Sequence, residues 1–375
     1  MHRIESDNVD RDSQGRNQFK NGPPGTTINA DFMNAVQEEL CNAIEGFGKN
    51  IGTKLNDSKD QLYSVLNGLR SGTTRAATYV FASSDSETNS QNGTDQIIAT
   101  SADAAAIITA KAAELSALGG GTIICLEGIY NCYTELDWSS YVDLTGCGYR
   151  TVFVRAQSTA GVISTDGVSY CNLSNFRING NNGVFAAASA GVTGTFGDST
   201  DAATYSKIIV HNTEYGFLNC NKVDMCVSFS NGGNGFQGCR NLSNCISISN
   251  IFDGFITCAQ LSNCAAYSNA RTGFWDCNIL SDCLAKDCGN YGFYQCENIV
   301  NSFVDGADNH GYDECSRLMN CVAENIAASA YHFTSCYPMA LCKGAGGGSA
   351  WRACYADWGA GQAAANTATG GYNYP

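Results

Sequence analysis

Residues 254–272 read GFITCAQLSNCAAYSNART, and the nineteen residues that follow, 273–291, read GFWDCNILSDCLAKDCGNY. Each stretch begins with Gly-Phe and carries a cysteine at plus four, a leucine at plus seven and a second cysteine at plus ten. A repeat this strict indicates a protein built from equal structural units that stack on one another.

The same unit recurs over a large part of the chain. A Gly-Phe pair, or a close variant of it, begins every nineteenth residue at Gly216, Gly235, Gly254, Gly273, Gly292, Gly311 and Ala330. An amide or acid follows at plus nine in most units, and Ser302 replaces the plus-ten cysteine in one of them. The unit that begins at Ala330 is looser, because its cysteines, Cys336 and Cys342, are shifted by two residues.

The length and composition of the unit predict its structure. Nineteen residues are too few for a helix pair of about 34, and one leucine per unit is too few for a leucine-rich repeat. Units rich in Gly, Asn, Ser and Cys favour three short strands joined by tight turns. We therefore predict an all-β fold in which each unit is one coil of a parallel β-helix. Equivalent side chains then stack at about 4.8 Å, with Phe, Cys and Leu inside and Asn at a turn.

The chain has twenty cysteines, and their spacing favours buried thiols. Zinc sites use closely spaced ligand pairs, and separations of six residues without interleaved histidines do not supply them. Stacked cysteines of neighbouring coils point the same way, which is poor geometry for a disulfide. We expect small apolar thiols in the core, with a redox or metal role as the alternative, and we predict no metal site and no cofactor.

Charge and hydropathy limit the partners. The chain carries 21 basic and 35 acidic side chains, a formal net charge of −14, which disfavours nucleic acid and anionic membranes. The sequence contains no run of about 20 apolar residues, and its start is polar. We expect no membrane insertion and synthesis in a cytoplasm.

A helix is predicted ahead of the repeat. Ala104, Ile108, Ala112 and Leu115 lie on one helical face, with Ser101 or Asp103 able to cap the start and Gly119 able to end it. An amphipathic helix at this place would cover the open end of the β-helix, which otherwise exposes unpaired strand edges.

Two parts of the chain resemble known protein families. The helix, GGGTIICLEGIY (119–130), YVDLTGCGYRTVFV (141–154) and YCNLSNFRINGN (170–181) together resemble the pectate-lyase-like right-handed parallel β-helix superfamily. Residues 1–40, which end in NAVQEEL, resemble the N-terminal segment of phage and prophage tailspike and tail fibre proteins. The resemblances imply a right-handed, single-stranded β-helix that forms a homotrimer, attaches to the virion by its N-terminus and contacts bacterial surface polysaccharide.

We divide the chain accordingly. Residues 1–75 are expected to be a helical virion-attachment segment, 76–100 a linker, 101–165 the front of the β-helix with its capping helix, 166–358 the β-helix, and 359–375 a short tail. In the first segment, Phe32, Met33, Val36, Leu40 and Ile44 follow one helical face. A second series, Ile51, Leu55, Leu62, Val65 and Leu69, is either a trimer seam or a helix that packs on its own domain.

An outward column also predicts oligomerisation. The plus-eleven residues are Val227, Ile246, Ala265, Leu284, Phe303 and Val322. The residues on either side of them, at plus ten and plus twelve, are expected to face the core. The strand that contains all three positions is therefore apolar on both its inner and its outer face. Such a strand favours a partner on the outside, most simply another subunit of a homotrimer.

Two pairs of acids are candidate catalytic residues. Asp305 and Glu324 lie on neighbouring coils at plus thirteen, after Lys286, and would be about 5 Å apart. Asp276 and Glu314 lie two coils apart at plus three, which gives about 10 Å. These separations bracket the retaining and inverting geometries of glycoside hydrolysis. The alternative is that the acids are simply solvated surface groups.

A column at plus two adds candidate glycan-binding residues, Trp275, Tyr294 and Asp313, since aromatic faces stack on sugar rings. The clustered Asp and Arg pattern of pectate lyases and the motifs of polygalacturonases do not occur, so activity as a polysaccharide depolymerase is uncertain.

Three functions follow: a tail adhesin of the virion that binds bacterial surface glycan and other tail or baseplate proteins, a depolymerase, and a structural stalk without a ligand.

Overall fold

The computed structural model describes residues 9–11, 17–19, 77–83, 88–92, 97–157, 161–181, 189–195, 203–345 and 349–352. The chain divides into two units, Met1–Arg75 and Ala76–Pro375. In the first unit, β1 (Val9–Arg11) and β2 (Asn17–Phe19) form an antiparallel pair. The helices and the trimer seam expected in this segment, like the tail at 359–375, lie outside the described residues.

The described part of the second unit contains one helix, α1 (Ala104–Ala117), and many short strands. The strands up to the regular repeat are β3 (Ala77–Ser83), β4 (Thr88–Asn92), β5 (Ile97–Ser101), β6 (Gly121–Cys125), β7 (Gly128–Cys132), β8 (Leu136–Asp137), β9 (Val142–Gly146), β10 (Thr151–Arg155), β11 (Gly161–Thr165), β12 (Asn172–Asn179), β13 (Ala190–Gly194) and β14 (Thr204–His211).

The strands of the regular repeat are β15 (Tyr215–Leu218), β16 (Lys222–Asp224), β17 (Val227–Phe229), β18 (Phe236–Gln237), β19 (Asn241–Ser243), β20 (Ile246–Ile248), β21 (Phe255–Ile256), β22 (Gln260–Ser262), β23 (Ala265–Tyr267), β24 (Phe274–Trp275), β25 (Ile279–Ser281), β26 (Leu284–Cys288), β27 (Tyr291–Tyr294), β28 (Glu297–Val300), β29 (Phe303–Ala307), β30 (His310–Asp313), β31 (Ser316–Met319), β32 (Val322–Glu324), β33 (Tyr331–Thr334), β34 (Met339–Ala340), β35 (Lys343–Ala345) and β36 (Ser349–Arg352).

Three parallel sheets run along the solenoid. The first contains β3, β6, β9, β16, β19, β22, β25, β28, β31 and β34, and the second contains β7, β10, β17, β20, β23, β26, β29, β32 and β35. The long strands β12 and β14 belong to both. The third sheet has eleven strands, from β8 to β36. The protein is therefore a right-handed parallel β-helix of about eleven coils, which confirms the predicted fold class.

The core consists of stacked ladders, as the period predicts. Phe255 pairs with Phe274 in the third sheet, and their rings stack at 4.9 Å. The cysteines of the repeat are buried, except Cys342, which is partly buried, and their thiols donate to backbone carbonyls; Cys258 Sγ, for example, lies 3.4 Å from the oxygen of Ile256. Burial raises the pKa of Cys226 to about 12. The Cys226 thiol is therefore protonated at neutral pH and is a poor nucleophile or metal ligand, since both roles need a thiolate.

In the regular coils that begin at Gly216 to Gly311, the chain turns at three corners, and each corner passes through a residue with positive φ. In the coil that begins at Gly254 these residues are Thr257, Asn263 and Ser268, with φ of 51°, 52° and 49°. Asn and Asp tolerate this conformation better than other residues with a Cβ, which explains the column of amides and acids at plus nine.

Helix α1 follows its prediction. Its N-cap is Asp103, whose side chain accepts from the amide of Ala105, and the chain reaches φ of 97° at Gly119 just after the helix. The face with Ile108 and Leu115 is buried against β5, β6, β7 and β8 at the front of the solenoid.

Two features differ from the sequence analysis. Residues 76–100 contain strands, where a linker is expected: β3 pairs with β6 in the first sheet, and Tyr79 and Phe81 face the core. In the sequence, the polar residues between these strands mask the alternation of inward and outward side chains that would have predicted β3. In the last complete coil, Tyr312 pairs with Phe333 and not with Tyr331, so this coil has two additional residues. They lie between β32 and β33, at a corner, where an insertion leaves the sheets intact.

Candidate functional site

Five aromatic side chains form a continuous row on the outside of the third sheet. Trp275 lies 5.9 Å from Tyr294, Tyr294 lies 4.7 Å from Tyr291, Tyr291 lies 5.8 Å from His310, and His310 lies 5.6 Å from Tyr331, measured between ring centroids. All five are partly exposed. We call these five residues the aromatic row.

The repeat explains why the rings share one face. Side chains alternate across a strand, so Trp275 and Tyr294 face outward because the phenylalanines before them face the core. Tyr291 lies three residues before Tyr294 and would face the core under strict alternation, but Gly292 and Phe293 both face inward, so the Tyr291 ring packs on that of Tyr294. Gly292 between them is required, because a Cβ at this position would lie 2.5 Å from Cγ2 of Val304.

Gln295 connects the row to a carboxylate. The indole Nε1 of Trp275 donates to Oε1 of Gln295 at 3.3 Å, and Nε2 of Gln295 donates to Oε2 of Glu314 at 2.8 Å. Burial and the nearby Glu314 carboxylate raise the pKa of Tyr294. Glu314 is therefore an exposed acid that is oriented along the edge of the aromatic row.

The other residues of the plus-two and plus-three columns occupy different environments. Trp275, Tyr294 and Asp313 stack in register, as the period predicts. Asp313, however, is only 8% exposed and presents little surface to a ligand. Asp276 is exposed at the corner next to Trp275, two coils from Glu314.

The second pair of candidate acids forms a different cluster. Asp305 and Glu324 are neighbours in β29 and β32, but the Asp305 carboxylate accepts from Lys286 Nζ at 2.7 Å and from Asn325 Nδ2 at 2.7 Å. These hydrogen bonds lower the pKa of Asp305. A general acid needs a raised pKa, so this geometry suits a surface ion pair better than a catalytic acid.

A cation lies at the other end of the row. The Arg271 guanidinium carbon is 5.1 Å from the Trp275 ring centroid and 5.6 Å from that of Phe252. Its Nη1 lies 3.7 Å from Oδ2 of Asp253, a carboxylate whose side chain is 1% exposed. Burial raises the pKa of Asp253, and Arg271 opposes that rise.

Sequence reasoning missed Tyr291, His310, Tyr331 and Arg271. Tyr291 and His310 each precede the glycine of a unit, so a search of that column for aromatic residues would have found them. Tyr331 was assigned to the core position, because the two additional residues of its coil shift the apparent register.

A second surface feature lies on the first sheet. A shallow groove of about 510 Å³ crosses β16, β19, β22 and β25, and its outward lining includes Asn241, Ser243, Gln260 and Ser262. Besides these amides and hydroxyls, its lining includes the charged side chains of Lys222 and Asp224.

The described part of the chain contains neither a metal-binding cluster nor a membrane-spanning helix. Among them, no three His, Cys, Asp or Glu side chains lie together in a way that could hold a metal ion. The helix in this part of the chain is too short and not apolar enough to cross a membrane.

Comparison with known proteins gives structural likenesses only. Neither a protein-family model nor a curated protein matches the sequence. The A-module of a mannuronan C-5 epimerase from Azotobacter vinelandii matches with a TM-score of 0.42 and 15% identity, over 66% of this chain and 93% of that one. The catalytic domain of an α-1,3-glucanase in complex with nigerose has a TM-score of 0.44 and 11% identity, over 67% and 66%. An open-reading-frame product of Geobacillus virus E2 has a TM-score of 0.33 and 12% identity, over 92% and 65%. Likenesses this distant assign no function to the chain.

Proposed function

We propose that this chain is a phage tailspike or tail fibre adhesin that contacts bacterial surface polysaccharide through the aromatic row. The observation that supports the proposal is the row itself, since five partly exposed rings lie in continuous contact on one face. Contiguous exposed aromatic surface on a protein commonly marks a binding surface.

The chemistry of the row suits a glycan. Sugar rings combine apolar faces with hydroxyl edges, and amphipathic aromatic side chains present the matching surface. The row crosses three coil steps, about 14 Å at the strand spacing, which is enough for several sugar units. Gln295 and Glu314 add an amide and a carboxylate at its edge that can bind hydroxyl groups.

The proposal includes an assembly. Residues 1–75 would attach to other tail or baseplate proteins of the virion, and three copies of the chain would associate. The support for the trimer is the plus-eleven column in the second sheet, where side chains such as Leu284 and Phe303 are partly exposed on the outside. After synthesis in the host cytoplasm, the protein would reside in the virion tail.

A depolymerase is the second candidate function. The specific observation is the oriented Glu314 carboxylate, which lies two coils, about 10 Å, from exposed Asp276. One acid that protonates the leaving oxygen and one that activates water at this separation would hydrolyse a glycosidic bond with inversion.

Binding to purified bacterial capsular polysaccharides and lipopolysaccharide O-chains tests the adhesin. Trp275→Ala and Tyr294→Ala should each weaken binding about tenfold or more, because each removes a large contact surface. Tyr149→Ala is the matched control, since Tyr149 is 62% exposed and lies outside the row. Equal losses in all three variants would contradict the proposal, and no binding to any envelope glycan would favour the stalk.

Release of reducing ends in the same incubations tests the depolymerase. A depolymerase should release reducing ends as wild type, lose this activity in Asp276→Asn and in Glu314→Gln, and keep it in Asp305→Asn. If bound polysaccharide keeps its chain length, the protein is an adhesin without this activity.

A further inference from the structure

The guanidinium of Arg271 is held in place by three side chains. Phe252 and Trp275 lie against it at 5.6 and 5.1 Å, and both ring contacts favour a cation. Asp253 lies behind it with a side chain that is almost fully buried. Asp253 is itself fixed, because its Oδ1 accepts from the amide of Thr272 at 3.0 Å.

This arrangement leaves hydrogen-bond donors of Arg271 available. The contact with Asp253 is 3.7 Å long and involves one of the guanidinium nitrogens, and the Arg271 side chain is 45% exposed. Lys286 and Asp305 show the contrasting case, a direct pair at 2.7 Å that uses the ammonium group. A planar guanidinium with free donors binds carboxylate or phosphate oxygens in a bidentate manner.

The charge along the aromatic row changes from positive at one end to negative at the other. Arg271 lies beside Trp275 at the first end of the row, and Glu314 and Asp313 lie two coils further on. Asp276 also lies beyond Trp275, at the opposite end of β24 from Arg271. An anionic group would therefore be favoured at Arg271 and disfavoured toward the other end.

We infer that the aromatic row takes an anionic polysaccharide, with a carboxylate or phosphate substituent bound to Arg271 and the adjoining sugar against Trp275 and Tyr294. This inference rests on the proposed function. The formal net charge of −14 repels anionic polymers at long range, so their binding requires a local cation that is held at the site. Arg271 supplies that cation.

The test compares anionic polysaccharides with neutralised forms of the same polymers. The probes are purified capsular polysaccharides that contain uronic acid or phosphodiester groups, their carboxyl-reduced or hydrofluoric-acid-dephosphorylated products, and neutral O-chains. Wild-type protein should bind the anionic form at least tenfold more tightly than its neutralised product. A loss of affinity after carboxyl reduction identifies the bound anion as a carboxylate, and a loss after dephosphorylation identifies it as a phosphate.

Substitutions of Arg271 test whether this residue causes the preference for anionic polymers. Arg271→Gln should lose about tenfold in affinity for the anionic polymer and less than about twofold for its neutralised product. Arg271→Lys should fall between wild type and Arg271→Gln, because it keeps the charge and loses the planar fork. Arg317→Gln is the matched control, since Arg317 is exposed in β31 and the substitution changes the net charge equally.

The outcomes separate the two proposals. If wild-type protein binds neutral polymers as tightly as anionic ones, or Arg271→Gln affects both forms equally, the anionic preference is wrong and the adhesin stands. If no polysaccharide binds, both proposals fail. The comparison of polymers uses wild-type protein alone, so it decides the question even if an Arg271 variant does not fold.

Discussion

His211 is a buried residue whose surroundings oppose protonation. Arg177 Nε donates to His211 Nε2 at 2.7 Å, and the imidazole stacks on Phe229 at 4.8 Å. Burial and the Arg177 charge lower the pKa of His211 from 6.5 to about 4. The folded protein therefore keeps this imidazole neutral at pH values at which the unfolded chain protonates it.

The sign of the pH dependence follows from that difference. Between about pH 4 and 6.5 the unfolded state binds more protons at His211, so its contribution to stability is present above pH 6.5 and is lost as the pH falls toward 4. His211→Gln should flatten the rise of the unfolding free energy with pH in this interval. Urea titrations of both proteins at several pH values measure the slopes, and equal slopes would contradict the prediction.

For individual residues, the sequence predicted which side chains stack on one another but not how exposed each of them is. Trp275 and Tyr294 were found because equal spacing places them in one column. The burial of Asp313 was not predicted, because equal spacing places it in that column without specifying how far its neighbours cover it.

At the scale of the structural element, a ladder of buried asparagines stabilises the corner before the third sheet. Asn250 Oδ1 accepts from the backbone amide and Nδ2 of Asn231, and Asn250 Nδ2 donates to Ser247 Oγ at 2.8 Å. Asn269 accepts from Asn250 in the same way. The ladder satisfies backbone groups that have no solvent access.

Asn250→Ala should therefore be costly. It leaves buried donors of Asn231 without acceptors, and we expect a loss of about 2–4 kcal/mol in unfolding free energy. The matched variant Asn263→Ala alters an exposed asparagine at a left-handed corner and should cost only about 1 kcal/mol. Chemical denaturation of both variants measures the difference, and equal losses would refute this account of the buried ladder.

At the scale of the whole solenoid, equal coils predict that one of them is dispensable. Deletion of residues 254–272 removes one period, so Phe236 can stack on Phe274 and every ladder stays continuous. We expect a folded protein whose Tm falls by about 5 °C or less. Deletion of residues 254–262 is the control, because it removes part of a coil and should prevent folding. Circular dichroism and thermal melts compare the two, and unfolding of both would contradict nearest-neighbour stacking.

The proposed trimer is also tested at this scale. Phe303→Glu places a charge in the partly exposed plus-eleven column and should convert a trimer into monomers, because burial of an unpaired carboxylate is unfavourable. Ile279→Glu, at an exposed apolar position on the first sheet, should leave the trimer intact. Sedimentation equilibrium measures the mass of each variant. A monomeric wild type would refute the trimer.

The sequence by itself determined the class of fold and the composition of its core. A period of nineteen residues with Phe, Cys and Leu at constant positions permits only stacking in register, because each unit can bury these side chains only against its neighbours. The helix at 104–117 and the burial of the thiols were predictable for the same reason, since both follow from local pattern and spacing.

Only the tertiary structure decided which surface the outward residues form. The strands hidden in residues 76–100 and the two additional residues before Phe333 depend on pairing across coils, which local pattern does not specify. Arg271, Asp253 and Trp275 come together because the chain bends at a left-handed corner before the third sheet. Contacts of this kind depend on corner geometry, so the direction of charge along the aromatic row became visible only once the coils were stacked.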